Sequence, residues 1–148
     1  MEIKFIRLNN DNGETPKIPI RASAEAAGID LAAFITTPII LKSFERVLVP
    51  TGLKIEIPYG YCGFLYARSS LGTKYGVSLS NGVGVIDSDF RGEIKVGLIN
   101  LSNKDFLINN NDRIAQIVIS KIELCSFTET NKLSQTIRNE NGFGSTGK

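Results

Sequence analysis

Asp87 lies in the run Gly82 to Gly92, GVGVIDSDFRG, where branched apolar residues lead a carboxylate out of what reads as a buried strand into a tight turn. The chain contains no histidine, so a general base working near neutral pH must be a carboxylate, lysine, cysteine or tyrosine. Apolar neighbours desolvate such a carboxylate and raise its pKa from the ordinary ~3.9, while glycines let backbone approach a ligand. Asp87 is therefore the leading candidate to activate a water. The same segment also reads as plain turn chemistry, with Asp87 and Asp89 capping the bend.

Two further places set an arginine beside hydroxyls among small residues: Ala67-Arg68-Ser69-Ser70, and Arg138 followed by Gly144-Ser145-Thr146-Gly147. A guanidinium fork matches phosphate oxygens, and Ser or Thr hydroxyls add donors of adjustable direction. If Ser69 opens a short helix, its first-turn amides also face an anion. The tail is not a P-loop, since no Gly-Lys-Ser or Gly-Lys-Thr closes it. Phe143, between Gly142 and Gly144, is either a flat ring on a strap that closes over a nucleobase or an anchor for the C-terminus. Asn81, with Gly82, Gly84 and Val85 close by, marks a tight hairpin whose backbone can read a base edge, although turn chemistry explains the same residues. Asp30, in AGIDL, and Gln116, in DRIAQ, stand beside apolar strands, where an unpaired polar group is costly, so each requires a partner.

The elements that must position these groups read as short strands: Ile3 to Leu8, Leu31 to Ile35, Val47 to Ile57, Cys62 to Ala67, Glu93 to Leu101, Phe106 to Ile108 and Ile114 to Ile122. Lys54-Ile55-Glu56-Ile57 and Glu93-Ile94-Lys95-Val96 alternate polar with apolar, the period of a strand with one wet face. Only Ser69 to Lys74 suggests a helical turn. The pattern predicts an all-β chain with the strand spacing of a barrel or jelly roll.

At 148 residues and 42% hydrophobic, the chain suits one globular domain spanning 1–148, with the polar stretch 131–148 as a mobile tail. A net charge of +2, dispersed rather than blocked, argues against a nucleic-acid partner. No apolar run approaches the ~20 residues of a membrane span. Cys62 and Cys125 read as buried thiols of a reducing compartment, which predicts a soluble, cytoplasmic protein.

Taken in order, AGIDLAA (Ala27 to Ala33), ARSSLG (Ala67 to Gly72), GVGVIDSDFRG, NDRIAQ (Asn111 to Gln116) and RNENGFGSTG (Arg138 to Gly147) resemble the five motifs of the trimeric deoxyuridine triphosphatase (dUTPase) family. The resemblance runs from about Ile18 to Gly147. It implies a distorted jelly-roll barrel that hydrolyses dUTP to dUMP and pyrophosphate with Mg²⁺. By that analogy Asp87 deprotonates the water that attacks the α-phosphorus, and Arg68, Ser69, Ser70 and Gln116 grip the phosphate chain. Asp30 holds magnesium-bound waters rather than the metal. Arg138, Ser145 and Thr146 clasp the γ-phosphate, and Phe143 stacks over uracil. Asn81 and the backbone of Gly82 to Val85 read the base, and the ring of Phe90 lies against the deoxyribose. The resemblance further implies a homotrimer whose sites draw on three chains, the C-terminal strap reaching a neighbour.

Three departures from that pattern stand out. Phe90 replaces the family's tyrosine, which keeps the stacking and loses the phenol. Asn139 and Asn141 replace glycines in the tail, and Asn111 replaces a frequent glycine before Asp112; asparagine tolerates left-handed backbone better than most residues. The nearest alternative is a dCTP deaminase of the same fold, which normally carries a Pro-Gly-Phe turn near the place of Asp87 to Phe90. The alternative from another class is a non-catalytic jelly-roll regulator that keeps a nucleotide pocket, against which the retained Asp87 and tail motif argue.

Overall fold

A computed structural model describes residues 1–142, so Phe143, Ser145 and Thr146 lie outside the described residues. The chain is nearly all β: β1 (Lys4–Arg7), β2 (Ile29–Ala32), β3 (Ile39–Leu41), β4 (Arg46–Pro50), β5 (Leu53–Glu56), β6 (Tyr61–Tyr66), β7 (Val77–Leu79), β8 (Gly84–Ile86), β9 (Lys95–Asn100), β10 (Phe106–Ile108) and β11 (Arg113–Lys121). They form a distorted jelly-roll barrel. A four-stranded sheet, β2-β11-β6-β8, faces a three-stranded sheet, β4-β9-β7, and two ribbons, β1-β5 and β3-β10, complete the wall. Each of these pairings is antiparallel, and each joins strands that are not consecutive in the chain.

The run 47–57 is not one strand, as its apolar content suggests, but two that serve different sheets. Gly52, at φ 67°, breaks it, and a Cβ there would stand 2.5 Å from the Phe34 ring. β4 then pairs with β9, and β5 turns to pair with β1. The three-residue strands β3 and β7 are too short to show a period, and the sequence reading passes over them.

Alternation does fix which side of each strand faces inward. Along β9 the odd-even pattern buries Val96, Leu98 and Asn100 while Lys95 is exposed. With Val49, Val77, Ile108, Ile114 and Ala115 they form one core. Asn100 is the polar exception, fully buried, and every capacity of its amide is used. Its Nδ2 donates to the Leu41 carbonyl at 2.9 Å and the Lys104 carbonyl at 2.7 Å, and its Oδ1 accepts from the Ser102 amide at 3.0 Å and hydroxyl at 2.8 Å. One side chain thus ties β9 to β3 and to the loop that leads into β10.

The expected helical turn is present, as an α turn at Ser69-Ser70 that widens into a five-residue π turn, Leu71–Tyr75, and ends on Gly76 at φ 67°. Only Leu71 of that turn enters the core. Of the two cysteines, Cys62 is buried as expected, but Cys125 is exposed, because the chain beyond β11 leaves the barrel and has no regular element. Phe127, Leu133 and Ile137 on that stretch are likewise exposed. No helix among the described residues is long and apolar enough to cross a membrane.

Candidate active site

Most of the polar groups flagged in the sequence gather at the C-terminal end of β6, and β8 carries Asp87 to its other end. At one end, Asp30 on β2, Gln116 on β11 and Tyr66 on β6 share a row of the four-stranded sheet. Just beyond it, Arg68 Nε donates to Asp30 Oδ1 at 2.9 Å while Arg113 Nη1 donates to Asp30 Oδ2 at 3.0 Å. Asp30 is thereby partnered twice and Gln116 once, its Nε2 donating to the Ala67 carbonyl at 3.3 Å. Because Arg68 engages Asp30 through Nε, its outer guanidinium edge is left largely uncommitted. The Ser69 and Ser70 hydroxyls make no hydrogen bond among the described residues, although the Ser69 carbonyl accepts from Thr73 Oγ1 at 2.6 Å.

Asp30, Arg68, Ser69, Arg113 and Gln116 line a cavity of about 360 Å³ together with the small residues Ala22, Ala26, Ala27 and Gly28, whereas Ser70 lines a neighbouring cavity with Lys74 and Tyr75. Gly28 is dictated by space, since a Cβ at that position would run into Gln116 Oε1. Two arginines against one aspartate leave the cavity a net cation, suited to a polyanion.

Arg113 is the member that sequence reasoning missed. It stands three residues before Gln116, and residues three apart on a regular strand point to opposite faces. A register shift between Arg113 and Ala115 inserts an extra residue against β2, and this bulge brings Arg113 round to the side of Asp30. The NDRIAQ segment carried the arginine in plain view; only the bulge gives it its direction.

Edge strand β8 starts beside that same end, with Gly84 opposite Leu65, and runs antiparallel to β6 toward the far end, where Asp87 follows it. The turn before it bends at Gly82, φ 72°, with the Gly82 amide donating to the Leu79 carbonyl at 3.2 Å and the Val83 amide to the Asn81 carbonyl at 2.8 Å. This is not the expected hairpin. β7 pairs with β9 and β8 with β6, so Ser80 to Val83 passes from one sheet to the other. Gly84 lets β8 close on β6, where a Cβ would stand 3.0 Å from Leu65 Cβ.

Asp87 follows β8, and it too departs from expectation. Val83, Val85 and Asp87 point outward and are exposed, so Asp87 is not desolvated by its neighbours within this chain. Nor does either aspartate cap the turn: among the described residues no hydrogen bond reaches the side chain of Asp87 or Asp89, and the bend is closed by the Phe90 amide on the Asp87 carbonyl at 3.2 Å. One step beyond the Gly63–Ile86 pair, the register brings Cys62 opposite Asp87 on the same face of the sheet, and Cys62 is buried there outside the main core cluster. Burial pushes the Cys62 thiol up from its ordinary value of 9.0, and the Asp87 charge adds to the push.

Because Gly63 pairs with Ile86, Arg68 lies six positions along from the residue opposite Asp87, about 20 Å at the rise of a strand. The cavity at Arg68 includes neither Asp87 nor Asn81. One chain therefore presents two half-sites, a cationic cavity at one end of β6 and an outward carboxylate at the other.

Arg138, in the tail, makes a local turn: its Nε donates to the Asn141 carbonyl at 2.9 Å and its carbonyl accepts from the Asn141 amide at 3.0 Å. Asn139 in that turn has φ 43° and Asn111 φ 68°, so both take left-handed backbone, whereas Asn141 does not.

Among the described residues no three His, Cys, Asp or Glu side chains converge into a metal cage. Asp30 spends one lone pair of each oxygen on an arginine, and an ionised carboxylate has roughly four such positions. That donor set fits a hard divalent ion carried on a polyphosphate and met through water, rather than one held by protein alone.

Comparison with known proteins agrees with this geometry. A family profile described as dUTPase matches residues 14–147. The chain is 49% identical over 146 residues to the deoxyuridine 5'-triphosphate nucleotidohydrolase of Cytophaga hutchinsonii, covering 99% of this chain and 92% of that protein. It is 47% identical over 148 residues to the protein of the same name from Fusobacterium nucleatum, covering 100% and 98%. Among solved structures, a mutant of the Staphylococcus bacteriophage 80alpha dUTPase with dUpNHpp is similar at a TM-score of 0.82 and 22% identity, covering 99% of this chain and 98% of that one. At that identity the likeness concerns the fold. The ordered motifs, the barrel that displays them and relatives of near-half identity along almost the whole length agree, and the chain belongs to the dUTPase family.

Proposed function

We propose that this chain hydrolyses dUTP to dUMP and pyrophosphate, and that Asp87 acts as the general base. The observation that carries the reading is the pairing of half-sites: an uncommitted carboxylate at the end of edge strand β8, and a cationic cavity built on Asp30. Asp87 takes a proton from the water that attacks the α-phosphorus in line, as the pyrophosphate leaves. The developing charge on the leaving oxygens falls to Arg68, Ser69, Ser70 and Gln116, of which Arg68 is held in place by Asp30 before reaction. Arg113 joins them as the second partner of Asp30.

Asn81 and the backbone of Gly82, Gly84 and Val85 meet the uracil edge, and Phe90 meets the deoxyribose. Arg138, with Ser145, Thr146 and Phe143 of the strap, closes over the γ-phosphate and base. Magnesium, when bound with the substrate, supplies charge neutralisation on the phosphoryl oxygens. Asp30 is the residue that would hold it, through water; a relative from phage phi11 of S. aureus is described with a structural Mg(II) ion.

Since Asp87 and Arg68 of one chain stand about 20 Å apart along β6, they cannot both meet one α-phosphate. The reading therefore requires chains to share sites, and we assign the protein a homotrimer, each copy a single domain with 131–148 as its strap. The test is to incubate the protein with Mg²⁺ and each deoxynucleoside triphosphate in turn, assaying pyrophosphate and ammonia separately. Pyrophosphate from dUTP alone is expected. Ammonia from dCTP would replace this reading with a deaminase, and neither product would leave a non-catalytic binding module.

A further inference from the structure

The loop that carries Asp87 also carries Phe90, and two neighbouring residues fix its shape. Arg91 Nη1 donates to the Ser88 carbonyl at 2.7 Å and to the Phe90 carbonyl at 2.9 Å, so the guanidinium is folded back onto its own bend. Together with the Phe90 amide on the Asp87 carbonyl, this braces the segment from Asp87 to Phe90 on both sides. The ring of Phe90 then rests on Gly92. A Cβ at residue 92 would lie 2.5 Å from Cζ, 2.9 Å from Cε2 and 3.3 Å from Cε1 of that ring. Gly92 does not take left-handed backbone, so the chain path does not demand glycine; the ring does.

Phe90 is 42% exposed, so the core does not hold its ring. It has no hydroxyl to anchor it either. Its χ1 is confined to staggered wells, and the seat on Gly92 selects one of them. A methyl group at residue 92 closes that well and swings the ring outward, away from wherever a sugar meets it.

We propose that Gly92 and Arg91 are positioning residues that set the choice of deoxyribose over ribose, by seating the Phe90 ring where a 2′-hydroxyl would collide with it. This rests on the reading that Phe90 meets the sugar. Gly92 supplies the space, and Arg91 supplies the backbone angle from which the ring leaves the loop.

The experiment compares kcat/KM for dUTP and UTP in the parent protein, Gly92→Ala, Phe90→Leu, the double variant, Arg91→Ala and Arg91→Lys. Gly92→Ala is expected to lower the dUTP-over-UTP preference about tenfold, the scale on which small steric changes in a pocket discriminate substrates. In the Phe90→Leu background the same change should do nothing further, because leucine has no atom at the far edge of the ring. Arg91→Ala should also lower the preference, with Arg91→Lys restoring part of it through one of the two carbonyls. A folded Gly92→Ala protein that keeps the parent preference overturns the proposal, and so do additive effects in the double variant. The seat is tested apart from turnover by a nuclear Overhauser contact between the Gly92 α-protons and the Phe90 ring, whose absence overturns it. Failure of the parent protein to release pyrophosphate from dUTP would instead sink the proposed activity while leaving that contact to be read.

Discussion

Among the described residues Asp87 has no side-chain hydrogen-bond partner, and it stands exposed, one residue past an edge strand. A structural aspartate at a turn would be expected to spend its carboxylate on nearby amides; this one leaves it free for a ligand. Replacing it with asparagine keeps the size and removes the basicity. Asp87→Asn should lower kcat by roughly 10²–10⁴-fold, the span of general acid–base contributions, while nucleotide affinity measured by titration calorimetry stays near the parent value. An unchanged kcat would remove Asp87 from the mechanism. Cys62, buried opposite Asp87 in the same row, gives a second prediction. Burial raises its pKa first and the Asp87 charge second, so the unfolded chain releases the thiol proton before the folded chain does. The stability held through that proton is present in full below the unfolded thiol's range and is lost as pH rises from there through the raised folded value. Cys62→Ala should flatten the alkaline fall in Tm, and an identical slope in both proteins would contradict the assignment.

At the scale of elements, the cationic cavity depends on three strands arriving in register. β2 brings Asp30, β6 ends so that Arg68 and Ser69 follow it, and β11 brings Gln116 directly and Arg113 through its bulge. None of these side chains is in the core, so the barrel must hold the strands from elsewhere. Asn100 is one such tie, joining β9, β3 and the loop before β10 by four hydrogen bonds. Asn100→Leu would remove all four bonds; the Ser102 hydroxyl still reaches the Lys104 carbonyl at 3.0 Å, but the Leu41 carbonyl and the Ser102 amide lose this partner. Each buried unsatisfied group costs about 1–3 kcal/mol, so a loss of about 2 kcal/mol or more in urea unfolding is expected, and a neutral outcome would contradict the tie.

For the whole molecule, the decisive quantity is the length of β6. At the rise of a strand it spaces Asp87 and Arg68 by up to about 20 Å, so the proposed reaction, which needs both at one phosphate, calls for halves that meet between copies. Mixing chains tests this directly. Asp87→Asn and Arg68→Ala proteins, each inactive alone, should recover roughly a quarter of the parental activity when unfolded and refolded together, since random assembly into closed rings gives that share of sites both intact halves. Recovery to no more than the sum of the two parents would mean that each chain works by itself, and the homotrimer reading would fall.

The amino-acid order by itself determined the all-β class, because alternation such as Glu93-Ile94-Lys95-Val96 is a local property of the chain. It also determined the identity of the motif residues and the positions where left-handed backbone is taken by asparagine, Asn111 and Asn139. What it did not determine was direction and distance. The split of 47–57 between two sheets, the bulge that turns Arg113 toward Asp30, the crossing of Ser80 to Val83 between sheets and the exposure of Asp87 all depend on which distant strand each segment pairs with. Those pairings are selected by the packing of the shared core around Val49, Val77, Val96 and Ile108, a cooperative choice among residues far apart in the chain that no local window contains.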